Sequence, residues 1–359
     1  MLEEHDVFLS GLTTMRVGGP AERLVTVETT DELVDAIREV DDADEPLLVL
    51  SGGSNLVIAD EGFAGSVVRI ATHGITVGPT DSYGRATVCV AAGEVWDDVV
   101  ARAVTEGWSG IEALSGIPGC AGATPIQNVG AYGQEVAQTI SAVRAWDRRE
   151  QQVHTFANAD CQFSYRDSLF KGEARYVVFE VTFQLELAKL SSPVSYADLA
   201  GALGVETGER VPLADARDAV LAQRRERAMV LDAPDHDTWS CGSFFTNPIM
   251  STGSYDVLQA RAQARLGADE GPVRVPRFDA LDGQVKTSAA WLIERAGFGR
   301  GYGMPGPAAL STKHTLAITN RGSATAAEVV ALAREIRDGV HEAFGVTLVN
   351  EPVLVGTSL

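Results

Sequence analysis

At 359 residues, 45% of them hydrophobic, the chain carries enough apolar material for two or three cores. Its 29 Lys and Arg stand against 49 Asp and Glu, a net charge of −20. That balance excludes nucleic-acid binding by bulk electrostatics and makes any anionic ligand depend on local cationic pockets. Cys89, Cys120, Cys161 and Cys241 are widely spaced, with no C-x-x-C pair and no Cys/His set at metal-ligand spacing, so a reduced protein with no metal site is expected. The N-terminal Met1-Leu2-Glu3-Glu4-His5-Asp6 is acidic where a signal peptide would be basic, and no apolar run reaches the roughly 18 residues of a membrane span. A cytoplasmic protein with no membrane partner is expected.

From residue 24 to residue 100, helix and strand signals alternate. Thr29-Thr30-Asp31-Glu32 reads as a capping box ahead of a helix over Leu33 to Val40. Strands are predicted at Leu47 to Leu50, Val67 to Ile70 and Ala86 to Ala92, and a helix near Val95 to Glu106. Glycine is dense from 115 to 133, which suits close backbone approach more than regular structure. Further strands are predicted at Ala142 to Trp146, Gln152 to Phe156 and Tyr176 to Leu187. The last alternates Val177, Phe179, Val181, Phe183 and Leu185 as a half-buried sheet would. Ser191-Ser192-Pro193 reads as a linker. Helices follow at Asp215 to Met229, Lys286 to Ala296 and Thr325 to Phe344, the last opened by a second capping box, Thr325 to Glu328, with Val329, Leu332, Ile336, Val340 and Phe344 on one face.

Motifs of other chemistries are missing. There is no G-x-x-x-x-G-K, G-x-S-x-G or H-E-x-x-H, and the run Gly297 to Gly303 only superficially resembles a dinucleotide fingerprint. The turn Ser51-Gly52-Gly53-Ser54-Asn55 follows an apolar strand. Taken alone it is either a plain turn or a backbone cup for a pyrophosphate. A second glycine-rich stretch, Gly116 to Gly133, favours the cup, since two such loops let backbone wrap phosphates and a flat ring.

Several segments in one order carry a resemblance that runs nearly end to end. They are Thr14-Met15-Arg16-Val17-Gly18-Gly19, Ser51 to Asn55, Ile117 to Gly133, Tyr165-Arg166-Asp167-Ser168, Gly242-Ser243-Phe244-Phe245-Thr246-Asn247-Pro248 and Glu351-Pro352. With them the chain resembles the UDP-N-acetylenolpyruvoylglucosamine reductase family, whose FAD domain is of the vanillyl-alcohol-oxidase (PCMH) type. The resemblance implies an α+β fold: an FAD-binding unit of two lobes over 1–187, split near 80, and a C-terminal α/β substrate-binding domain over 188–359. A last strand near 346–356 is expected to return to the flavin cleft.

It also implies noncovalent FAD on Gly52, Gly53, Ser54, Asn55, Gly122, Asn128 and Gly130, NADPH as co-substrate, and a UDP-linked enolpyruvyl amino sugar as substrate. The catalytic expectation is Arg166 on the substrate carboxylate and Ser243 as proton donor. Glu351 assists, either as a hydrogen-bonding acid or, ionised, by orienting Arg166 or water. Tyr196 matches a tyrosine that covers the nucleotide in a loop-bearing subclass. Tyr132, Asn247, Lys313 and His314 are further expected contacts, and Arg224, Arg225 and Arg227 are cations for the diphosphate. Loop-bearing members carry a lysine shortly before Gly-Ser-Phe-Phe; Met229-Val230-Leu231 stands in that neighbourhood here, with Arg227 as the substitute. Two rivals are an oxidase with flavin attached through His73 or Cys120, and a nucleotide-sugar sensor that has no use for a proton donor.

Overall fold

The computed structural model describes residues 1–172 and 174–359; the side chains of residues 268–270 also lie outside the description. Its chain packs as two units. Unit 1 comprises Met1–Phe8, Pro20–Gly53 and Phe63–Leu231; unit 2 comprises Leu9–Gly19, Ser54–Gly62 and Asp232–Leu359.

Unit 1 is built on two larger sheets. In the first, strand order is Leu2–Phe8, Pro20–Val27, Phe63–Ile70 and Leu47–Leu50. The first pair is antiparallel and the other two are parallel, as the intervening helix α1 (Thr30–Asp42) requires of a crossover. Its predicted capping box is present: Thr29 accepts from the Glu32 N–H and Glu32 reaches back to the Thr29 N–H. The second sheet runs Gln152–Ala157, Ile140–Asp147, Tyr176–Leu187, Arg85–Ala91 and Ile75–Val77, with Trp108–Ser109 added at the far end of Tyr176–Leu187. Helix α2 (Trp96–Glu106) packs on it, Trp96 meeting Phe183 with ring centroids 5.7 Å apart. Gly107, at φ 75°, ends the helix in the left-handed cap that glycine adopts without steric cost.

The strand Tyr176–Leu187 departs from the simple alternation. Arg144 pairs with Glu180 but Ala145 pairs with Val178, so one extra residue bulges near Phe179. The bulge swaps the faces. Val181, Phe183 and Leu185 join the core under α2, whereas Val177 and Phe179 join a second core with Leu33, Ile37 and Val68. The strand is therefore buried on both faces over its first half.

After the sheet, α3 (Ala197–Leu203) and α4 (Leu213–Glu226) form a small core from Val194, Leu199, Val211, Ala216 and Val220 against Ala113. Arg217 Nη1 and Nη2 fork onto Asp97 at 2.7 and 2.9 Å. These contacts tie residues 188–231 to unit 1, so the units divide at 231/232 while the sequence suggested a change near 188. The expected linker is built in as well. Ser191 is 1% exposed and its N–H donates to Val211 O, while the Ser192 N–H donates to the Glu112 carboxylate.

Among the described residues, unit 2 has three short sheets. Leu56–Ile58 pairs with Val353–Val355 in parallel, Ile249–Met250 joins Val285–Lys286 and Phe278–Asp279, and Ala308–Leu310 pairs with Ile318–Asn320. Helices α5 (Thr252–Glu270), α6 (Ala289–Arg295) and α7 (Ala326–Phe344) surround one core, which also takes Met15, Val17 and Val57 from the two early segments. Helix α6 starts later than predicted because Lys286 pairs as strand and Ser288 caps the helix. Gly301, Gly303 and Gly306 do stand at G-x-G-x-x-G spacing. They follow a helix and lead into the strand Ala308–Leu310, the reverse of the strand-to-helix order that a dinucleotide site needs.

Candidate active site

In unit 1 the two glycine-rich segments meet. A Cβ on Gly52 would lie 2.6 Å from Gly119 Cα, a distance only glycine permits, and one on Gly122 would lie 2.4 Å from Ala92 Cβ. Gly53 turns the chain at φ 58°. Beside them Ser51 Oγ is buried without a well-formed hydrogen bond, its neighbour being the weak Cys120 thiol, which burial pushes up. Close-set backbone plus an orphaned hydroxyl fits a group that brings its own oxygens, such as the phosphates of FAD. His73 is exposed beside Glu94.

Asn128 and Gly130 build a different device. Asn128 is 1% exposed, and its amide donates to Glu135 and to Ser164 O while accepting from the Ala137 N–H. Its carbonyl accepts from Arg166 Nη1 at 3.3 Å, and the Gly130 carbonyl accepts from Nη2 at 2.5 Å. Sequence reasoning placed Asn128 on the cofactor and overlooked Glu135. The only signal was the turn Ala131-Tyr132-Gly133-Gln134, where Tyr132 and Gly133 both have positive φ and close a two-stranded ribbon that pairs Gly130 with Glu135.

At the tip of that ribbon, Tyr132 meets Tyr196 edge-on with centroids 5.6 Å apart. Burial pushes the Tyr132 hydroxyl up, opposed by the nearby Arg224 and Arg227. Arg224 keeps its Nε inside without a partner among the described residues, and burial pulls its pKa down to about 10 against the attraction of Tyr132 and Asp97. Arg227 pairs with Asp198 at 3.2 Å. Tyr132, Tyr196, Arg224 and Arg227 thus come together.

In unit 2 three motifs interlock. Asn55 Nδ2 donates to Glu351 O at 3.3 Å, the Val353 N–H donates to Asn55 O, and the Glu351 N–H donates to Phe244 O at 2.9 Å. Thr14 Oγ1 donates to Ser54 O and Ser240 O. Phe244 and Phe245 are fully buried with centroids 5.2 Å apart and lock the backbone around the half-buried Ser243. Cys241, buried beside them, has its thiol pushed up to about 12 by burial, with Glu351 adding to the rise. Asn247 Oδ1 accepts from the Ala289 N–H at the start of α6. Lys313 pairs with Asp235 at 2.9 Å, and His314 is half-buried in the same loop. Arg166 lies in unit 1, Ser243 and Glu351 in unit 2.

These features define a flavin-dependent oxidoreductase. Residues 21–155 match the model of an FAD binding domain, and residues 233–355 match that of the UDP-N-acetylenolpyruvoylglucosamine reductase C-terminal domain. The enzyme of that name from Streptomyces avermitilis is 58% identical over 99% of this chain and 96% of its own, and that from Thermobifida fusca is 54% identical over 99% and 98%. The crystal structure of the reductase from Thermus caldophilus covers 99% of both chains at 26% identity and a TM-score of 0.65. The chain belongs to the UDP-N-acetylenolpyruvoylglucosamine reductase family. No helix among the described residues is long and apolar enough to cross a membrane.

Proposed function

We propose that this chain reduces UDP-N-acetylenolpyruvoylglucosamine to UDP-N-acetylmuramate in the cytosol, using NADPH and noncovalently held FAD, as a step of peptidoglycan precursor synthesis. The observation that carries the reading is the ladder Asn55, Glu351, Phe244, which joins the glycine turn, the terminal motif and the Ser243 segment. Gly52, Gly53, Ser54, Asn55 and Gly122 are the backbone that would hold the cofactor. The chemistry FAD supplies when bound is two-electron transfer from NADPH to the enolpyruvyl double bond.

Arg166 holds the substrate carboxylate and steadies the charge that develops beside it, since its rigid fork of donors is already oriented by two carbonyls. Ser243 gives its proton to the carbon that bears the carboxylate, where that charge develops. A serine is a weak acid, so this works only from a fixed position in a dry setting, which the buried Phe244 and Phe245 support. Solvent returns the proton, and the turnover consumes one NADPH and one proton per double bond. Glu351, beside the same segment, orients the donor end of the site. Tyr196 edge-on to Tyr132, with Arg224 and Arg227 near the Tyr132 hydroxyl, supports the loop-bearing mode of covering the nucleotide; Lys313 and His314 are further contacts.

The test is Ser243→Ala under anaerobic conditions. NADPH should bleach the bound flavin at the native rate, while reoxidation by substrate slows about 10²- to 10⁴-fold, the range of a lost proton donor. A protein that takes up no FAD, or a variant that substrate reoxidises as fast as native protein, sinks the assignment.

A further inference from the structure

Arg166 is the strained residue of unit 1 that matters most. Its φ of 55° lies in the left-handed region that non-glycine residues occupy at a cost, inside the tight turn closed by Ser164 and Asp167. Such a conformation persists where its surroundings over-determine it. Here Asn128 Nδ2 donates to Ser164 O at 2.9 Å and Lys171 Nζ donates to Arg166 O at 2.6 Å, pinning the turn from two sides. The Asn128 backbone is itself left-handed at φ 46°, a region asparagine tolerates better than most residues.

We propose that Asn128 is a positioning residue for Arg166 rather than a contact to the cofactor. Both amide protons and the amide oxygen of Asn128 are committed to Glu135, Ser164 and Ala137. The side chain therefore rivets the Gly130–Glu135 ribbon to the arginine-bearing turn. Its carbonyl, with that of Gly130, then sets the direction of the guanidinium. Glu135 completes the device, accepting from Asn128 at 3.0 Å and standing 3.8 Å from Arg166 Nη1. A Cβ on Gly130 would strike Glu135 Cγ at 2.7 Å and approach Arg166 Nη1 to 3.0 Å, so the ribbon accepts no side chain there. The inference rests on the reading of Arg166 as the carboxylate-binding residue.

Asn128→Asp keeps the size, the tolerance of positive φ and the acceptor for Ala137, but it cannot donate to Ser164 or Glu135. With the FAD-loaded enzyme, dissociation constants are measured for the enolpyruvyl substrate and for UDP-N-acetylglucosamine, which lacks the carboxylate. The NADPH bleaching rate is followed alongside. The expected result is substrate binding weakened about tenfold, as for a misplaced charged hydrogen bond, with UDP-N-acetylglucosamine binding and NADPH bleaching unchanged. Equal weakening of both ligands, or of neither, overturns the proposal. Where Asn128→Asp folds poorly, Glu135→Gln is expected to shift the same ratio of constants about threefold, and an unchanged ratio overturns it. Arg166→Lys separates the two readings. If that variant keeps native discrimination, the role given to Arg166 fails; if it loses discrimination while Asn128→Asp keeps it, only the role given to Asn128 fails.

Discussion

Asp147 shows how a single carboxylate is fixed by its setting. Its side chain is 0% exposed and receives Arg175 Nε at 2.9 Å and Nη2 at 2.5 Å, together with the N–H groups of Arg149 and Glu150. Hydrogen bonding from Arg175 is the main reason its pKa falls from 3.8 to about 2. Asp147, Glu150 and His154 bring ligand atoms within 4.8 Å of one another, yet both carboxylates already carry the Arg175 guanidinium, which makes the cluster a structural ion pair. The sign of the pH effect follows from the depressed pKa. Asp147 stabilises the folded chain in full above its unfolded value near 3.8 and loses that contribution as pH falls towards 2. The stability gap between native protein and Asp147→Asn should be about 1 kcal/mol at neutral pH, discounted for the partly exposed Arg175. Urea unfolding at a series of pH values should find that gap closing between about pH 5 and about pH 2; a gap independent of pH would assign it to shape instead of charge.

Among the elements, α7 has a start that is secured twice. Thr325 accepts from the Glu328 N–H in the predicted capping box, and Asp60, from a distant segment of unit 2, accepts from the Ala326 and Ala327 N–H groups at 2.7 and 2.9 Å. A carboxylate at a helix N-terminus satisfies orphan donors and complements the dipole, so Asp60→Ala should lower unfolding free energy by about 1 to 2 kcal/mol. Asp60→Asn should fall between, and the denaturant midpoint reads both. A change within error for Asp60→Ala would mean that Thr325 suffices. The Thr325 cap was legible because it is local, four residues in a row. The Asp60 cap was not, because it is made by tertiary structure. The same distinction explains the missed elements. The strand Leu2–Phe8 lies at a sheet edge with nearly every residue exposed, so it has no apolar alternation to read. Helix α5 buries Tyr255, Leu258 and Ala262 amid glycine, glutamine and alanine, too faint a stripe to announce a helix. In Tyr176–Leu187 the alternation was visible, but a bulge reversed its meaning halfway along.

At the scale of the whole molecule, chain order and unit order disagree. Residues 9–19 and 54–62 belong with 232–359, and a boundary drawn along the sequence cannot express that. Long motifs made the candidate site legible as a set of segments. The bonds single residues make within them were not, since the Asn128 amide meets Glu135, Ser164 and Ala137 and Asn247 Oδ1 meets the Ala289 N–H, partners set by tertiary structure. Charge is the property that sequence states most directly and for the entire chain at once. An excess of 20 acidic groups repels itself at low ionic strength, while exposed pairs such as Arg23 with Glu3 and Glu39 attract. Exposed pairs contribute about 0 to 1 kcal/mol each, and salt screens both effects. Because acids outnumber bases 49 to 29, repulsion is the larger sum. Raising NaCl from about 0.01 M to about 1 M shortens the screening length from about 30 Å to about 3 Å. The thermal midpoint should therefore rise by several degrees, with sucrose at equal osmolality as the control for exclusion effects. A midpoint that falls with salt would mean that the ion pairs, including the Asp97–Arg217 fork and the Asp147–Arg175 pair, outweigh the repulsion, and that the acidic excess is spread too thinly to strain the fold.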